Sequence, residues 1–400
     1  MKEALLYVHV PFCTSKCDYC DFYSVPLYGK SVDSSYVHAL LREESYWRNR
    51  YSVSSWKTLY IGGGTPALMS ADLTVRLVEG LLEKNQRMPE EITIEVNPEV
   101  LTEEKILAYK KCGINRLSMG IQSMNEKALK FVNRHCSAES IKNALSLIDR
   151  HWEGRLNLDL IAGLPGQSDA EFEDSVRKTA ASGADHISLY TLTLEENTPL
   201  YKKTENGTAF DYDRADSQWF AGRDILESSG FAQYEVSNFS RKNCEGIHNM
   251  GYWQQQDYAG LGCSACGTFY DFPAAESGVT GMRWSNARNI DSYIKFWNEF
   301  CSTAEESLLN GDIPAVSERE VLDSPTVEFE FLMMGLRTLK GVSERLYSER
   351  FSGIEPWKGN LKKRLEALDG IKITESGSDR YYHFDRNGLL FLNSALESLL

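Results

Sequence analysis

The sequence predicts an α/β protein: a partial, open (β/α)6 barrel followed by a mostly helical C-terminal region with a small winged-helix-like unit. Two observations carry this. Short β-rich runs alternate with amphipathic stretches through the first half, which implies βα units and a parallel sheet. The motifs that suggest chemistry each follow one of those runs, as expected where function sits at the carboxyl ends of barrel strands.

The expected strands are Leu5–Val10, Thr58–Ile61, Ile92–Val96, Arg116–Met119, Asn157–Ile161 and His186–Tyr190. Helical patterns lie between them at Tyr36–Trp47, Leu73–Leu82, Glu103–Cys112, Ser140–Asp149 and Glu171–Ser182. From Arg283 onward the chain is expected to be mostly helical, with apolar faces over Val327–Leu339 and Trp357–Leu368. Ile371–Thr374 and Tyr381–Phe384 bracket a polar turn and predict a hairpin, and Asn387–Leu400 a final helix. Lys362, Lys363 and Arg364 read as a solvated face.

The chain has 400 residues, 42% hydrophobic and 25% charged, as in soluble globular proteins. It contains no apolar run of about 18 residues and no signal-peptide pattern at Met1–Val10. Nine cysteines then imply a reducing compartment, with thiols or metal ligands rather than disulfides, and a cytoplasmic setting. A net charge of −14 disfavours nucleic acid as a partner.

The first strand runs into Cys13-Thr14-Ser15-Lys16-Cys17-Asp18-Tyr19-Cys20, a C-x3-C-x2-C loop. Soft thiolates at this spacing suit an iron–sulfur cluster or zinc. Structural zinc usually takes four ligands, and no local fourth Cys or His follows. Three cysteines on a [4Fe-4S] cluster leave one iron open to a small chelating molecule. The spacing, with Tyr19 before the last cysteine, resembles the radical S-adenosylmethionine (SAM) superfamily. That resemblance implies a [4Fe-4S] cluster on Cys13, Cys17 and Cys20, with SAM on the fourth iron.

Later motifs are ambiguous on chemistry alone. Gly62-Gly63-Gly64-Thr65-Pro66 is a tight turn or a close approach to a ligand. Glu95 at a strand tip is a solvated charge or an acceptor for ribose hydroxyls. Gln122 lies past a strand tip, and Arg134 can pair with a carboxylate. Asp159 within an apolar strand needs a partner. Taken together, the cysteine loop, Gly62–Pro66, Glu95–Pro98, Gly120–Ser123 and Asn157–Leu160 resemble the oxygen-independent coproporphyrinogen III oxidase family, which includes HemW-type haem chaperones. The resemblance implies that Tyr7, Gly63, Gly64, Thr65, Glu95, Gln122, Arg134 and Asp159 contact SAM.

The same resemblance bears on His248-Asn249-Met250-Gly251-Tyr252-Trp253, which matches the H-N-x-x-Y-W motif of the HemW type. Chemistry alone favours His248 as a hydrogen-bonded core histidine; the resemblance implies haem binding. Downstream, Cys266 stands where relatives carry a histidine, and reads as a small buried hydrophobe or a thiolate near the pocket. Cys112, Cys136, Cys244 and Cys301 read as structural. The implied division is a barrel over 1–240, a haem-associated segment over 241–290 and a C-terminal domain over 291–400.

Three functions stay open: a haem chaperone, a coproporphyrinogen III oxidase, and another haem-modifying radical SAM enzyme. True oxidases of the family carry a further cysteine where this chain has Phe22, and a long segment before the cysteine loop; both features favour the chaperone. Its expected partners are haem, a haem-acceptor protein and an electron donor such as a flavodoxin or ferredoxin, with peripheral membrane contact on delivery.

Overall fold

A computed structural model describes residues 2–271, 279–300, 313, 315–351 and 361–399. Cys301 and residues 357–360 of the expected helix lie outside the described residues. The six expected strands are present and somewhat longer: β1 Lys2–Val10, β4 Val53–Gly63, β5 Glu91–Val96, β6 Arg116–Gln122, β7 Arg155–Ala162 and β8 His186–Thr191. They pair in parallel in chain order. Two short strands, β2 Phe12–Cys13 and β3 Val25–Pro26, form a separate parallel ladder.

The connecting helices are α1 Ser34–Tyr51, α2 Ala71–Leu82, α3 Glu103–Lys111, α4 Glu126–Phe131, α5 Ala138–His151 and α6 Asp169–Ala180. Their starts are written in side chains. Asp33, Ser70, Thr102, Asn125, Ser137 and Ser168 each accept from a backbone N–H of the first turn, a contact worth about 1 kcal/mol apiece.

The strands have two different faces. Leu6, Val8, Leu59, Ile61, Ile94, Leu117, Met119, Leu158 and Leu189 join the helices in one apolar core. The opposite face is polar although equally buried: Thr58, Thr93, Ser118, Asn157, His186 and Ser188 are each at most 6% exposed. This strand-by-strand alternation follows from the period-2 geometry of β structure.

After α7 Pro199–Lys203 and α8 Tyr212–Ser228, β9 Ala232–Gln233 and β10 Asn238–Ser240 extend the sheet antiparallel beyond β8. Helix α9 Ile247–Trp253 then packs on the inner face, where Gly251 lies directly against Leu5. The α9 start has no side-chain cap of its own. Glu91 of β5 supplies one, accepting from the N–H groups of Ile247 (3.1 Å) and His248 (3.0 Å). Arg116 of β6 binds that carboxylate at 2.8 Å and also donates to the carbonyls of Cys244 and Glu245.

Strand β11 Tyr258–Leu261 returns parallel beside β1, and β12 Cys266–Tyr270, β13 Val279–Asn286 and β14 Val316–Asp323 continue antiparallel to the other edge. The stretch expected to be helical from Arg283 therefore opens with strand pairing; β14 is long and mostly exposed, so periodicity marks it weakly. Helices follow at α10 Ile290–Glu299, Ser324–Gly335 and Glu344–Arg350. The expected hairpin is present as β16 Ile371–Ser376 and β17 Asp379–Phe384, joined by β15 Val342–Ser343. Residues of this region, among them Phe331, Tyr347, Phe351, Tyr382 and Phe384, form a second apolar cluster.

Arg116→Met leaves the buried Glu91 carboxylate without its ion pair. We expect it to lower the unfolding free energy by about 3 kcal/mol, read by urea titration. A loss below about 1 kcal/mol would mean that the pair does not anchor α9.

Candidate functional site

The cysteine loop is closed at its base. β2 and β3 pair Phe12 with Val25 and Cys13 with Pro26, and Leu27 N–H donates to the Cys13 carbonyl at 2.9 Å. The loop between them is tied to the barrel rim: Asp18 N–H donates to Val132 O (3.0 Å), Asn133 Nδ2 to Lys16 O (3.1 Å), and Leu200 N–H to Asp18 O (2.9 Å). Lys203 pairs with the Asp18 carboxylate. Tyr19 packs against the small apolar cluster of Val132, Ile161, Leu164 and Leu192.

The glycine run at the end of β4 lies under this loop. Gly64 N–H donates to Val10 O at 2.9 Å, and Thr65 N–H to Phe12 O at 2.7 Å. A Cβ on Gly64 would meet Phe12 O at 2.6 Å and Cys13 Sγ at 3.0 Å. Gly63 has φ +118°, and a Cβ there would meet the His9 ring at 2.7 Å. These glycines let the β4 backbone touch the cysteine-bearing backbone.

Cys13, Cys17, Cys20, Gly63, Gly64, Thr65, Glu95, Gln122, Arg134 and Asp159 line one cavity of about 440 Å³ at the carboxyl ends of the strands. Its size is that of a small-molecule site. Thr65 Oγ1 donates to Cys13 Sγ at 3.8 Å, and Arg134 Nη1 to Cys17 Sγ at 3.9 Å. Arg134 Nη2 donates to Gly120 O at 2.6 Å, while its buried Nε has no hydrogen-bond partner. Burial raises the thiol pKa of Cys13 and of Cys20, so bound metal is the natural counter-charge that ionises them. Among the described residues no group of three or more His, Cys, Asp or Glu is placed to hold a single metal ion. Three thiols on one wall, a guanidinium group with one unpartnered N–H and two carboxyl groups fit a multi-iron cluster with a zwitterionic ligand.

Glu95 accepts from Tyr60 Oη and from Gly63 N–H, both at 2.9 Å. Burial, helped by the Asp159 charge, raises its pKa to about 7 against those bonds. Burial also raises Asp159, opposed by bonds from neighbouring side chains and by the Arg134 charge. Gln122 has φ +64°, a left-handed conformation costly for a non-glycine residue, at the irregularity where β6 leaves the register of β7.

Two expected site residues lie elsewhere. Tyr7 does not line the cavity; its hydroxyl is 2.9 Å from His9 Nδ1, whose Nε2 donates to Tyr23 O at 2.9 Å. Tyr7 sits on the inner face of β1, its ring 6.1 Å from that of Tyr60, whose hydroxyl donates to Glu95. His248 is 1% exposed on the inner floor, with Nδ1 2.7 Å from Thr58 Oγ1 and Nε2 2.9 Å from Tyr252 Oη. Burial lowers its pKa to about 3, so the ring is neutral. Cys266 is exposed on β12, 3.1 Å from Ser285 Oγ, which corrects its reading as a buried hydrophobe. Cys112, Cys136 and Cys244 are buried. Sequence reasoning missed Ser118, His135 and Tyr190, which also line the cavity. For Ser118 and Tyr190 the inward phase of their strands was the available signal; His135 sits in a loop and offered none.

Comparison with known proteins agrees with this geometry. The family model described as the radical SAM superfamily matches residues 7–179. A haem chaperone HemW of Buchnera aphidicola is 30% identical over 398 residues, covering 99% of this chain and 98% of that one. The chain belongs to the HemN/HemW family of radical SAM proteins. HemW of Escherichia coli is 31% identical, covering 99% of this chain and 97% of that protein. Among solved structures, the radical SAM enzyme coproporphyrinogen III oxidase of E. coli superposes with a TM-score of 0.78 over 99% of this chain and 89% of that one, at 20% identity, which speaks to the fold. Membership in the radical SAM family implies a [4Fe-4S] cluster and SAM.

Gly64→Ala pushes the β4 backbone off Phe12 and Cys13. Anaerobically reconstituted protein is expected to hold less than about half the wild-type iron and sulfide while remaining folded, since overpacking costs about 1–3 kcal/mol. Full loading would show that this contact does not position the loop.

Proposed function

We propose that this chain is a HemW-like haem chaperone that binds haem, carries a [4Fe-4S] cluster and SAM, and passes haem to an acceptor protein. The observation that carries the reading is similarity over 99% of the chain to proteins named haem chaperones. The cysteine loop supports it: Phe22 is 70% exposed where the oxidases carry another cysteine.

In this reading Cys13, Cys17 and Cys20 hold the cluster. Arg134, with its unpartnered Nε, meets the SAM carboxylate, and Glu95, Asp159 and Gln122 meet its nucleoside end. Gly63, Gly64 and Thr65 supply backbone next to its amino group, and Tyr7 acts through His9, which lies against Gly63. A SAM-loaded cluster supplies one-electron chemistry when a flavodoxin- or ferredoxin-like donor reduces it. No helix among the described residues is long and apolar enough to cross a membrane.

Haem falls to His248. Neutral imidazole is the form that ligates iron, and Nε2 becomes available when its bond to Tyr252 opens. We expect His248→Ala to weaken haem binding by more than about tenfold in an anaerobic absorbance titration. Tyr252→Phe, which frees Nε2, should strengthen it. Unchanged binding in His248→Ala removes the histidine, and decarboxylation of coproporphyrinogen III by protein supplied with SAM and reductant removes the chaperone reading.

The pH dependence follows from Glu95. Its raised pKa leaves it protonated below about 7 and ionised above. Only the ionised form accepts from ribose hydroxyls with both oxygens. SAM affinity of cluster-loaded protein should therefore fall as pH drops through that value, and Glu95→Gln should flatten the profile. A wild-type profile that is already flat counts against Glu95 as a ligand.

A further inference from the structure

One chain of hydrogen bonds joins the floor of the barrel to the cavity at its rim. At the N-terminus of α9, Gly246 N–H donates to Tyr234 Oη at 3.2 Å. Tyr234 Oη lies 2.7 Å from His186 Nε2, and His186 Nδ1 lies 2.6 Å from Asn157 Oδ1. Asn157 Nδ2 donates to Asp159 Oδ1 at 2.7 Å and to Ser118 Oγ at 2.8 Å. Ser188 Oγ gives Asn157 Oδ1 a second donor at 3.2 Å. His186 and Asn157 are 3% and 6% exposed, so water does not compete for these bonds.

The proton positions follow from donor and acceptor chemistry. Asn157 turns its nitrogen toward Asp159, the pairing that suits a carboxylate because it only accepts, and its oxygen toward His186. His186 must then carry its proton on Nδ1. Burial holds this histidine neutral, so Nε2 is a lone pair and takes the Tyr234 hydroxyl proton. The Tyr234 oxygen in turn accepts from the Gly246 amide. Every link donates in one direction, ending on the carboxylate that lines the cavity.

We propose that Asn157, His186 and Tyr234 are positioning residues that orient the Asp159 carboxylate as an acceptor for the ligand of the cavity. The inference rests on the reading of that cavity as the SAM site. If Nδ1 did not donate, only the longer bond from Ser188 Oγ would hold the Asn157 oxygen, and an amide that turned over would present its oxygen to Asp159, setting acceptor against acceptor. The carboxylate would then lose both its orientation and the bond that favours its charged form.

The test is SAM affinity of cluster-loaded protein by calorimetry, with iron and sulfide content and the thermal midpoint as folding controls. His186→Leu removes both ring nitrogens. His186→Asn restores a donor at the place of Nδ1, because the two side chains share their geometry from Cβ to that nitrogen. Tyr234→Phe removes a single oxygen and is the variant least able to disturb folding. We expect His186→Leu to weaken SAM binding by about tenfold or more, His186→Asn to stay within about threefold of wild type, and Tyr234→Phe to fall between them. Equal losses in the two His186 variants, or wild-type affinity in both His186→Leu and Tyr234→Phe, overturn the proposal. Asp159→Asn separates the two levels. If it leaves affinity unchanged, the SAM role of Asp159 fails and the positioning role falls with it; if it abolishes binding while His186→Leu does not weaken it, only the positioning role fails.

Discussion

A buried polar face on a parallel sheet is the constraint on which this molecule depends. The inner sides of β4 to β8 carry hydroxyl, amide, imidazole and carboxyl groups away from water. A buried polar group without a partner costs about 1–3 kcal/mol, so the inner face is heavily cross-linked, with the Thr93 hydroxyl an exception. Parallel register sets the neighbours: Glu95 lies beside Ser118, Ser118 beside Asn157, and Asp159 beside Ser188. Hydrogen bonds then run across strands, from Asn157 to Ser118 and from His186 and Ser188 to Asn157, as well as along β7 from Asn157 to Asp159. The cavity is the part of this face where the cross-links stop and polar atoms point into open space.

The outer side of the same strands explains how much was legible. Helices against Leu6, Val8, Ile61 and Ile94 demand apolar residues at every second position, and that alternation is what marks strands in a sequence. Strand order was implied because βα units in chain order need only short connections. The cysteine loop was legible because its spacing is local. What holds it was not: the β2–β3 ladder spans only four residues, and its ties to Val132, Asn133 and Leu200 come from chain far away. Local pattern carries no information about such long-range pairing.

His248 and Tyr7 show the opposite limit. A motif can match residue for residue and still leave the placement of its side chains open. His248 follows Glu91 and Arg116 into the barrel, because the start of α9 has no cap of its own and borrows one from β5. Its ring then meets Thr58 on β4. Nothing within ten residues of His248 encodes that contact. Cys266 is the converse: its type suggested burial, but it opens β12 with its sulfur at the surface.

The floor and the rim are two levels of one object. Glu91, which caps α9, and Glu95, which lines the cavity, are four residues apart on β5, a separation of about 13 Å along a strand. Arg116 and Gly120 repeat the spacing on β6, and His186 and Tyr190 on β8. Strands of a closely packed sheet do not stretch, so a shift of α9 is taken up either by breaking floor bonds or by tilting strands that carry the cavity. The first route costs a buried ion pair; the second moves Glu95 and Asp159 relative to the cysteine loop, which is anchored separately to the chain at Val132 and Leu200. A displacement of α9 therefore has a physical path to the cavity, through the strands that carry Thr58 and Glu91 and through the hydrogen bonds that run from the Gly246 amide to Asp159.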